Sequence, residues 1–254
     1  MVRFVNFDEK NKIFLTDDYT EFLHLTAADW ITEARYSCND KNSFFVALSG
    51  GRTPLEIFKN IVKEKEFLPP PEKIFLFWSD ERNVPDDHSD SNYGNAMNEL
   101  SNLNIPENNI FRMNMQDTPE QSAIAYNEII KRKVPDRTFD LVMLGIGTDG
   151  HIASLFPGTK ALEEREKDVV ANFVPFLNTE RITLTLPCIT RARQVVIYVS
   201  GADKKDILKR LFEKTITEPE NVVLPAKLLN HSHSPVKWFI NKDAYDTNTL
   251  SIFE

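Results

Sequence analysis

Leu141-Val142-Met143-Leu144 runs without interruption into Gly145-Ile146-Gly147-Thr148-Asp149-Gly150-His151, and then into Ile152-Ala153-Ser154-Leu155-Phe156-Pro157-Gly158. Four apolar residues closed off by glycine have the size and character of a strand buried on both faces, the kind found in parallel sheets covered by helices. Other runs share that character: Phe44-Phe45-Val46-Ala47-Leu48, Ile74-Phe75-Leu76-Phe77-Trp78, Ile182-Thr183-Leu184-Thr185-Leu186, Val195-Val196-Ile197-Tyr198-Val199 and Val236-Lys237-Trp238-Phe239-Ile240. Between them, Tyr19 to Tyr36, Pro54 to Val62, Pro119 to Arg132 and Lys204 to Phe212 carry apolar residues three and four apart, which predicts amphipathic helices.

Strands alternating with helices predict an α/β protein: a three-layer, Rossmann-like fold with a mainly parallel sheet between helices. The chain has 254 residues, near the size at which one hydrophobic core stops growing, so one domain over residues 1–254 is expected. No repeat, low-complexity tract or long linker divides it. The run Pro69-Pro70-Pro71 is long enough only to stiffen the entry to the strand near Lys73.

Hydrophobic residues make up 41% and charged residues 27% of the chain, which is ordinary for a globular protein and far from the composition of disorder. A formal net charge of -8 repels nucleic acid and anionic membrane alike, and neither is expected as a partner. Cys38 and Cys188 form neither a disulfide framework nor a C-x-x-C pair, so a reducing, cytoplasmic setting is expected. Met1 to Lys12 holds no apolar run of signal-peptide type, and no stretch is long enough to span a bilayer.

In open parallel sheets ligands gather beyond the carboxyl ends of the strands, which directs attention to three loops. The first is Ser49-Gly50-Gly51-Arg52-Thr53-Pro54. Two glycines permit close backbone approach, Thr53 is expected to cap the following helix, and Pro54 suits a first turn. Free amides at a helix start would cradle a phosphate. A glycine corner that merely joins strand to helix is an equal reading. The second is Ser79-Asp80-Glu81-Arg82-Asn83-Val84-Pro85, continuing to Ser91-Asn92-Tyr93, and it is either a solvated surface loop or part of a site.

The third loop spells G-x-G-x-x-G from 145 to 150, the letter pattern of a dinucleotide site. Such a site needs a crossover helix and a second strand ending in an acidic residue. Here Pro157-Gly158 follows within a few residues, and Glu163, Glu164, Glu166 and Asp168 come before the next apolar run, which argues against a nicotinamide cofactor. His151 reads either as a satisfied core histidine or as a group facing a ligand, and Asp149 either as a helix N-cap or as its partner. Two opposed influences on the imidazole are expected: a helix terminus disfavours its charged form and the Asp149 carboxylate favours it.

Taken in order, Ser49-Gly50-Gly51-x-Thr53-Pro54, Asp80-Glu81-Arg82 with Asn92-Tyr93, and Gly145 to Pro157 resemble the 6-phosphogluconolactonases. Arg181-Ile182-Thr183-Leu184-Thr185 and Gly201-Ala202-Asp203-Lys204 extend the resemblance over nearly the whole chain. It implies a cytoplasmic, metal-independent and cofactor-free hydrolase of 6-phospho-D-glucono-1,5-lactone, acting in the oxidative pentose phosphate pathway. By the resemblance His151 is the general base and Asp149 belongs to the same catalytic motif. Ser49, Gly50, Gly51, Thr53, Asp80, Arg82, Arg181 and Lys204 match substrate- and phosphate-binding positions. Arg52 departs from the serine common there. The expected partner is the phosphorylated sugar lactone alone, with the chain a monomer or weak homodimer.

Glucosamine-6-phosphate deaminases resemble the same glycine loop and Gly-x-Asp-Gly-His core. They have a tyrosine where this chain has Arg82 and a glutamate just after the histidine segment, whereas the first carboxylate after His151 here is Glu163. A sugar-phosphate-binding module without chemistry is the non-enzymatic alternative. His231-Ser232-His233 could set two imidazoles on one strand face but has no third ligand beside it, and a polar loop is the expectation. Trp30, Trp78 and Trp238 read as core.

Overall fold

The computed structural model describes residues 2–114, 118–213 and 222–245. β1 (Val2–Asn6) and β2 (Asn11–Thr16) form an antiparallel pair. Next come α1 (Tyr19–Lys41), β3 (Phe44–Leu48), α2 (Arg52–Lys63), β4 (Ile74–Trp78), a short β5 (Asp80–Arg82), α3 (Asn92–Leu100) and α4 (Pro119–Lys133). The rest of the order is β6 (Leu141–Leu144), β7 (Val169–Val174), β8 (Thr179–Leu184), α5 (Leu186–Thr190), β9 (Gln194–Val199), α6 (Lys205–Phe212) and β10 (Val236–Asn241). The main sheet has seven strands in the order β1-β2-β10-β9-β6-β3-β4, parallel throughout except for β1.

Alternation along the central strands divides the core into two layers. Phe44, Val46 and Leu48 of β3 pack with Phe22 and Trp30 of α1 and Phe58 of α2 on one face. Phe45 and Ala47 pack with Tyr126 of α4, Ile189 of α5 and Leu208 of α6 on the other. Each Val, Leu, Ile or Phe among them, fully withdrawn from water, contributes about 1.5–3 kcal/mol. Because both faces are covered, β3 reads as an unbroken apolar run rather than an alternating one.

The helices begin and end where local chemistry favours it. Asp18 accepts the Glu21 amide at 3.0 Å to open α1, and Asn42 at φ 63° closes it. This takes the helix past Tyr36, where the apolar spacing fades, to Lys41. Thr118 and Gln121 form a reciprocal capping box at the start of α4. At the outer strand of the sheet, the Tyr126 hydroxyl accepts the Trp78 amide at 2.9 Å and donates to the Phe111 carbonyl at 3.0 Å. The Phe111 amide donates to the Leu76 carbonyl at 2.8 Å. The exposed edge of β4 is thereby blunted.

Two expectations need correction. The run Ile182 to Leu186 is not part of the parallel sheet: it stops as a strand at Leu184 and lies in a second, three-stranded antiparallel sheet in the order β5-β8-β7. Asp80–Arg82 is likewise a strand of that sheet, not a loop, with Arg82 directly opposite Arg181. The helical segment at Asn92 to Leu100 and the β1–β2 pair had no periodic signal strong enough to predict them.

The chain leaves β3 toward β4 on one side and returns to β6 on the other. The connections after β3 and β6 therefore diverge, opening a crevice at the carboxyl ends of these two strands.

Candidate active site

A cleft of about 420 Å³ fills that crevice. Its walls include Ser49, Gly50, Gly51 and Thr53 from the first loop, Asp80, Arg82 and Asn92 from the second, and Gly145 and His151 from the third, with Lys204 from the turn before α6. Arg52 also borders it. Of the residues singled out from sequence, Asp149 and Arg181 do not line the cleft. Asp149 is bonded to His151 and Arg181 is paired with Arg82, both of which do.

Asp149 Oδ1 lies 2.6 Å from His151 Nδ1 and also accepts the His151 amide at 3.1 Å. No helix begins here. The amide of Gly150 closes a turn on the Gly147 carbonyl at 3.0 Å, and the amide of Gly147 reaches the His151 carbonyl at 2.9 Å. Asp149 is thus not a helix N-cap, and the opposing helix terminus expected at His151 is absent. Burial pushes the Asp149 carboxyl up, but the hydrogen bond and charge of His151, with two backbone amides, outweigh it and hold the group below its ordinary value. An ionised carboxylate only accepts, so Nδ1 is the donor, and in the neutral imidazole Nε2 carries the free lone pair.

The turn is fitted to this pair. A Cβ on Gly147 would come 2.1 Å from His151 Nδ1 and 2.6 Å from Asp149 Oδ1, so any side chain at 147 displaces both. On its other side the imidazole lies against Phe156, with ring centroids 4.0 Å apart, and Phe156 meets Phe176 edge-on at 5.4 Å.

The first loop turns on Gly51, at φ 95°, which is the N-cap of α2. Thr53 lies one residue inside the helix start at Arg52 and makes no cap, contrary to expectation. The amides of Arg52 and Thr53 belong to the first turn and have no acceptor within the helix. Gly50 is required by a different neighbour: a Cβ there would overlap the Asn92 side chain, 1.7 Å from its Oδ1.

Asp80 ties the second loop to the third. Its Oδ2 accepts the Ser154 hydroxyl at 2.7 Å, and Asn92 Nδ2 donates to its carbonyl at 2.9 Å and to its Oδ1 at 3.3 Å. Ser154 is held in turn by its amide on Thr183 Oγ1 at 3.1 Å and by Asn172 Nδ2 on its carbonyl at 2.8 Å. Glu81 faces away from this network and accepts three amides at 2.8 Å, those of Arg82, Asn92 and Tyr93, tying β5 to the start of α3. Burial raises the Glu81 carboxyl above its ordinary value even though those amides pull it down.

Arg82 and Arg181 face one another across the ladder, and the Nε of each is buried with no acceptor among the described residues. Arg82 Nη1 donates to the Asp90 carbonyl at 2.7 Å. Burial, and then the neighbouring charge of Arg82, lower Arg181 from its ordinary value, with Asp80, Asp90 and Glu81 opposing. Two guanidiniums thus stand side by side with donors that are not met within the described residues. Lys204 Nζ is paired with Asp203 Oδ2 at 2.8 Å.

Sequence reasoning did not single out Asn92 and Ser154 as site residues, although both lie in the segments it read. Their partner Asp80 is 12 and 74 residues away, and no local spacing signals such a contact. His231 ends a 3₁₀ turn, and His233 precedes β10 in an irregular segment rather than on a strand. Among the described residues no group of three or more His, Cys, Asp or Glu converges as metal ligands would. None of the described helices is long and apolar enough to cross a membrane.

Comparison with known proteins bears on what this cleft does. Residues 17–238 match the family model described as glucosamine-6-phosphate isomerases/6-phosphogluconolactonase. A 6-phosphogluconolactonase of Chlamydia pneumoniae is 46% identical over 246 residues, covering 97% of this chain and 94% of that protein. A Haemophilus influenzae protein of the same name is 32% identical over 205 residues, or 78% of this chain and 85% of the relative. Among solved structures, the 6-phosphogluconolactonase from Trypanosoma cruzi superposes with a TM-score of 0.82 at 28% identity, over 93% of this chain and 96% of that one.

Proposed function

Because this chain belongs to the glucosamine-6-phosphate isomerase/6-phosphogluconolactonase family, we propose that it hydrolyses 6-phospho-D-glucono-1,5-lactone to 6-phospho-D-gluconate with His151 as the general base. The observation that carries the assignment of the base is the 2.6 Å contact between Asp149 Oδ1 and His151 Nδ1. It fixes the tautomer, leaving Nε2 as a proton acceptor on a ring that borders the cleft.

In the reaction Nε2 takes a proton from water as its oxygen attacks C1 of the lactone. The carbonyl electrons move to oxygen, and the oxyanion is met by backbone amides of the glycine loops. When the intermediate collapses, the bond from C1 to the ring oxygen breaks. The imidazolium returns its proton to that leaving oxygen, so one imidazole serves as base and then acid. Asp149 stays ionised and stabilises the imidazolium between the two steps, much as a carboxylate does in a catalytic triad.

The distant phosphate is assigned to the cleft-lining basic groups Arg82 and Lys204, with Arg181 adding positive charge from beside Arg82 and the first-turn amides of α2 nearby. The juxtaposition of two guanidinium charges at Arg82 and Arg181 supports this. Asp80 repels a phosphate, so it is assigned to the sugar hydroxyls: two donors hold its carboxylate in place, and each oxygen keeps a lone pair. Remote phosphate binding then orients the reactive carbon. The chain is taken to act as one α/β domain, monomeric or weakly dimeric, without nucleic acid. The reducing cytoplasm suits its two buried free thiols.

Lactone consumption in excess of the spontaneous rate tests the reading. Hydrolysis no faster than the uncatalysed background would refute it. Release of ammonia from glucosamine 6-phosphate would transfer the chain to the deaminase branch, and binding of 6-phosphogluconate without turnover would make it a binding module.

A further inference from the structure

Asp203 has no part in the hydrolysis described above, yet it borders the same cleft as Lys204 and is ion-paired with it at 2.8 Å. The two side chains differ in surroundings: Asp203 is 59% exposed and Lys204 20%. The carboxylate reaches the ammonium by folding back over the turn at Gly201. That position has φ 112°, and a Cβ on it would stand 2.5 Å from Asp203 Oδ1. The glycine thus both permits the turn and leaves room for the acid. The hydrogen bond from Lys204, more than any other influence, holds the Asp203 carboxyl below its ordinary value, so the pair is ionic.

The charges along the cleft wall are Arg52, Arg82 and Lys204 against Asp80 and Asp203. Asp80 is fixed by Ser154 and Asn92. Asp203 is held chiefly by the Lys204 ammonium, with its own amide and the charge of Arg52 adding to it. A carboxylate so placed occupies the ammonium until a stronger anion arrives. A phosphate dianion carries more charge and more acceptor oxygens, and it displaces the acid into solvent, where an exposed side chain is readily hydrated.

We propose that Asp203 is an internal competitor for the phosphate, holding Lys204 in the free protein and releasing it when substrate binds. The inference rests on the assignment of Lys204 to the phosphate. An exposed ion pair changes an equilibrium constant by no more than about fivefold, and this bounds the effect. Weakly held anions gain less foothold at Lys204, and the apparent affinity for substrate is lowered by the same factor.

The test compares the wild type with Asp203→Asn, Lys204→Ala and the double variant, measuring kcat and KM for the lactone and inhibition by inorganic phosphate. Asp203→Asn is expected to lower both KM and the phosphate inhibition constant about two- to fivefold, with the change falling on KM rather than kcat. The difference should narrow at roughly 0.5 M salt and vanish in the Lys204→Ala background. A KM equal to or above that of the wild type would overturn the proposal, as would an equal drop in the Lys204→Ala background. If Lys204→Ala itself leaves KM unchanged, the phosphate assignment fails as well. If Lys204→Ala raises KM while Asp203→Asn has no effect, only the competitor role is lost.

Discussion

Asp149 Oδ1 binds two hydrogens of the same residue, the ring Nδ1–H and the backbone N–H of His151, at 2.6 and 3.1 Å. A single carboxylate oxygen thereby sets the ring's orientation, its tautomer and the path of the backbone beneath it. The pair behaves as one unit, and its members should fail together.

His151→Ala should lower kcat by on the order of a hundred- to ten-thousandfold, the usual range for a positioned acid-base group. Asp149→Asn keeps the shape but removes the charge that selects the tautomer, and a loss within the same range is expected. Because the pair acts jointly, the double variant should lose little beyond the worse single variant. Steady-state rates corrected for spontaneous hydrolysis decide this, and additive losses would separate the two residues.

Gly147→Ala tests the fit of the turn. The added methyl would stand 2.1 Å from His151 Nδ1, and a displacement of about 1 Å costs roughly a hundredfold in rate. The fold should survive with an unchanged circular dichroism spectrum. Near-normal kcat would mean that the base is positioned by something other than this turn.

Ser154→Ala leaves Asp80 Oδ2 buried without its donor. A loss of about 1–3 kcal/mol of stability is expected from the unmet acceptor, read as a fall in Tm of roughly 2–4 °C per kcal/mol for a chain of this size. KM should rise with it, because the carboxylate assigned to the sugar is no longer held. Unchanged Tm would show that water replaces the hydroxyl.

The lowered carboxyl of Asp149 fixes the sign of a pH effect. A folded value below the unfolded one gives stability that is present above the unfolded value of about 3.8 and is lost as pH falls through the folded value. Asp149→Asn should therefore be less sensitive to acid than the wild type in that window, as measured by denaturant titrations at successive pH values. Identical acid profiles would rule out a stabilising pair.

The parts of this architecture legible in the sequence were those whose physics is local. β3, β4 and β6 begin and end where their apolar runs do, because burial on both faces writes an unbroken hydrophobic signal. Ile182 to Leu186 carries a similar signal, but its strand part, ending at Leu184, belongs to the antiparallel sheet. Apolar runs report burial and not the direction of a neighbour. The cap of α2 was assigned to Thr53 by residue type, whereas the backbone turns one step earlier, at a glycine whose φ of 95° no composition rule reveals. Ser49, Asp80 and His151, which border the cleft, could be singled out because each lies in a contiguous motif. Asn92 and Ser154 were not, because their meaning lies in a partner brought near by the fold.

The junction at Asp80 also has a consequence over evolutionary time. Two connections that are separate in the chain meet at one carboxyl group, so positions 80, 92 and 154 form a single inherited unit. Drift at one of them leaves a donor or acceptor stranded unless the others change in the same lineage, and among natural relatives the three should vary in concert or stay fixed.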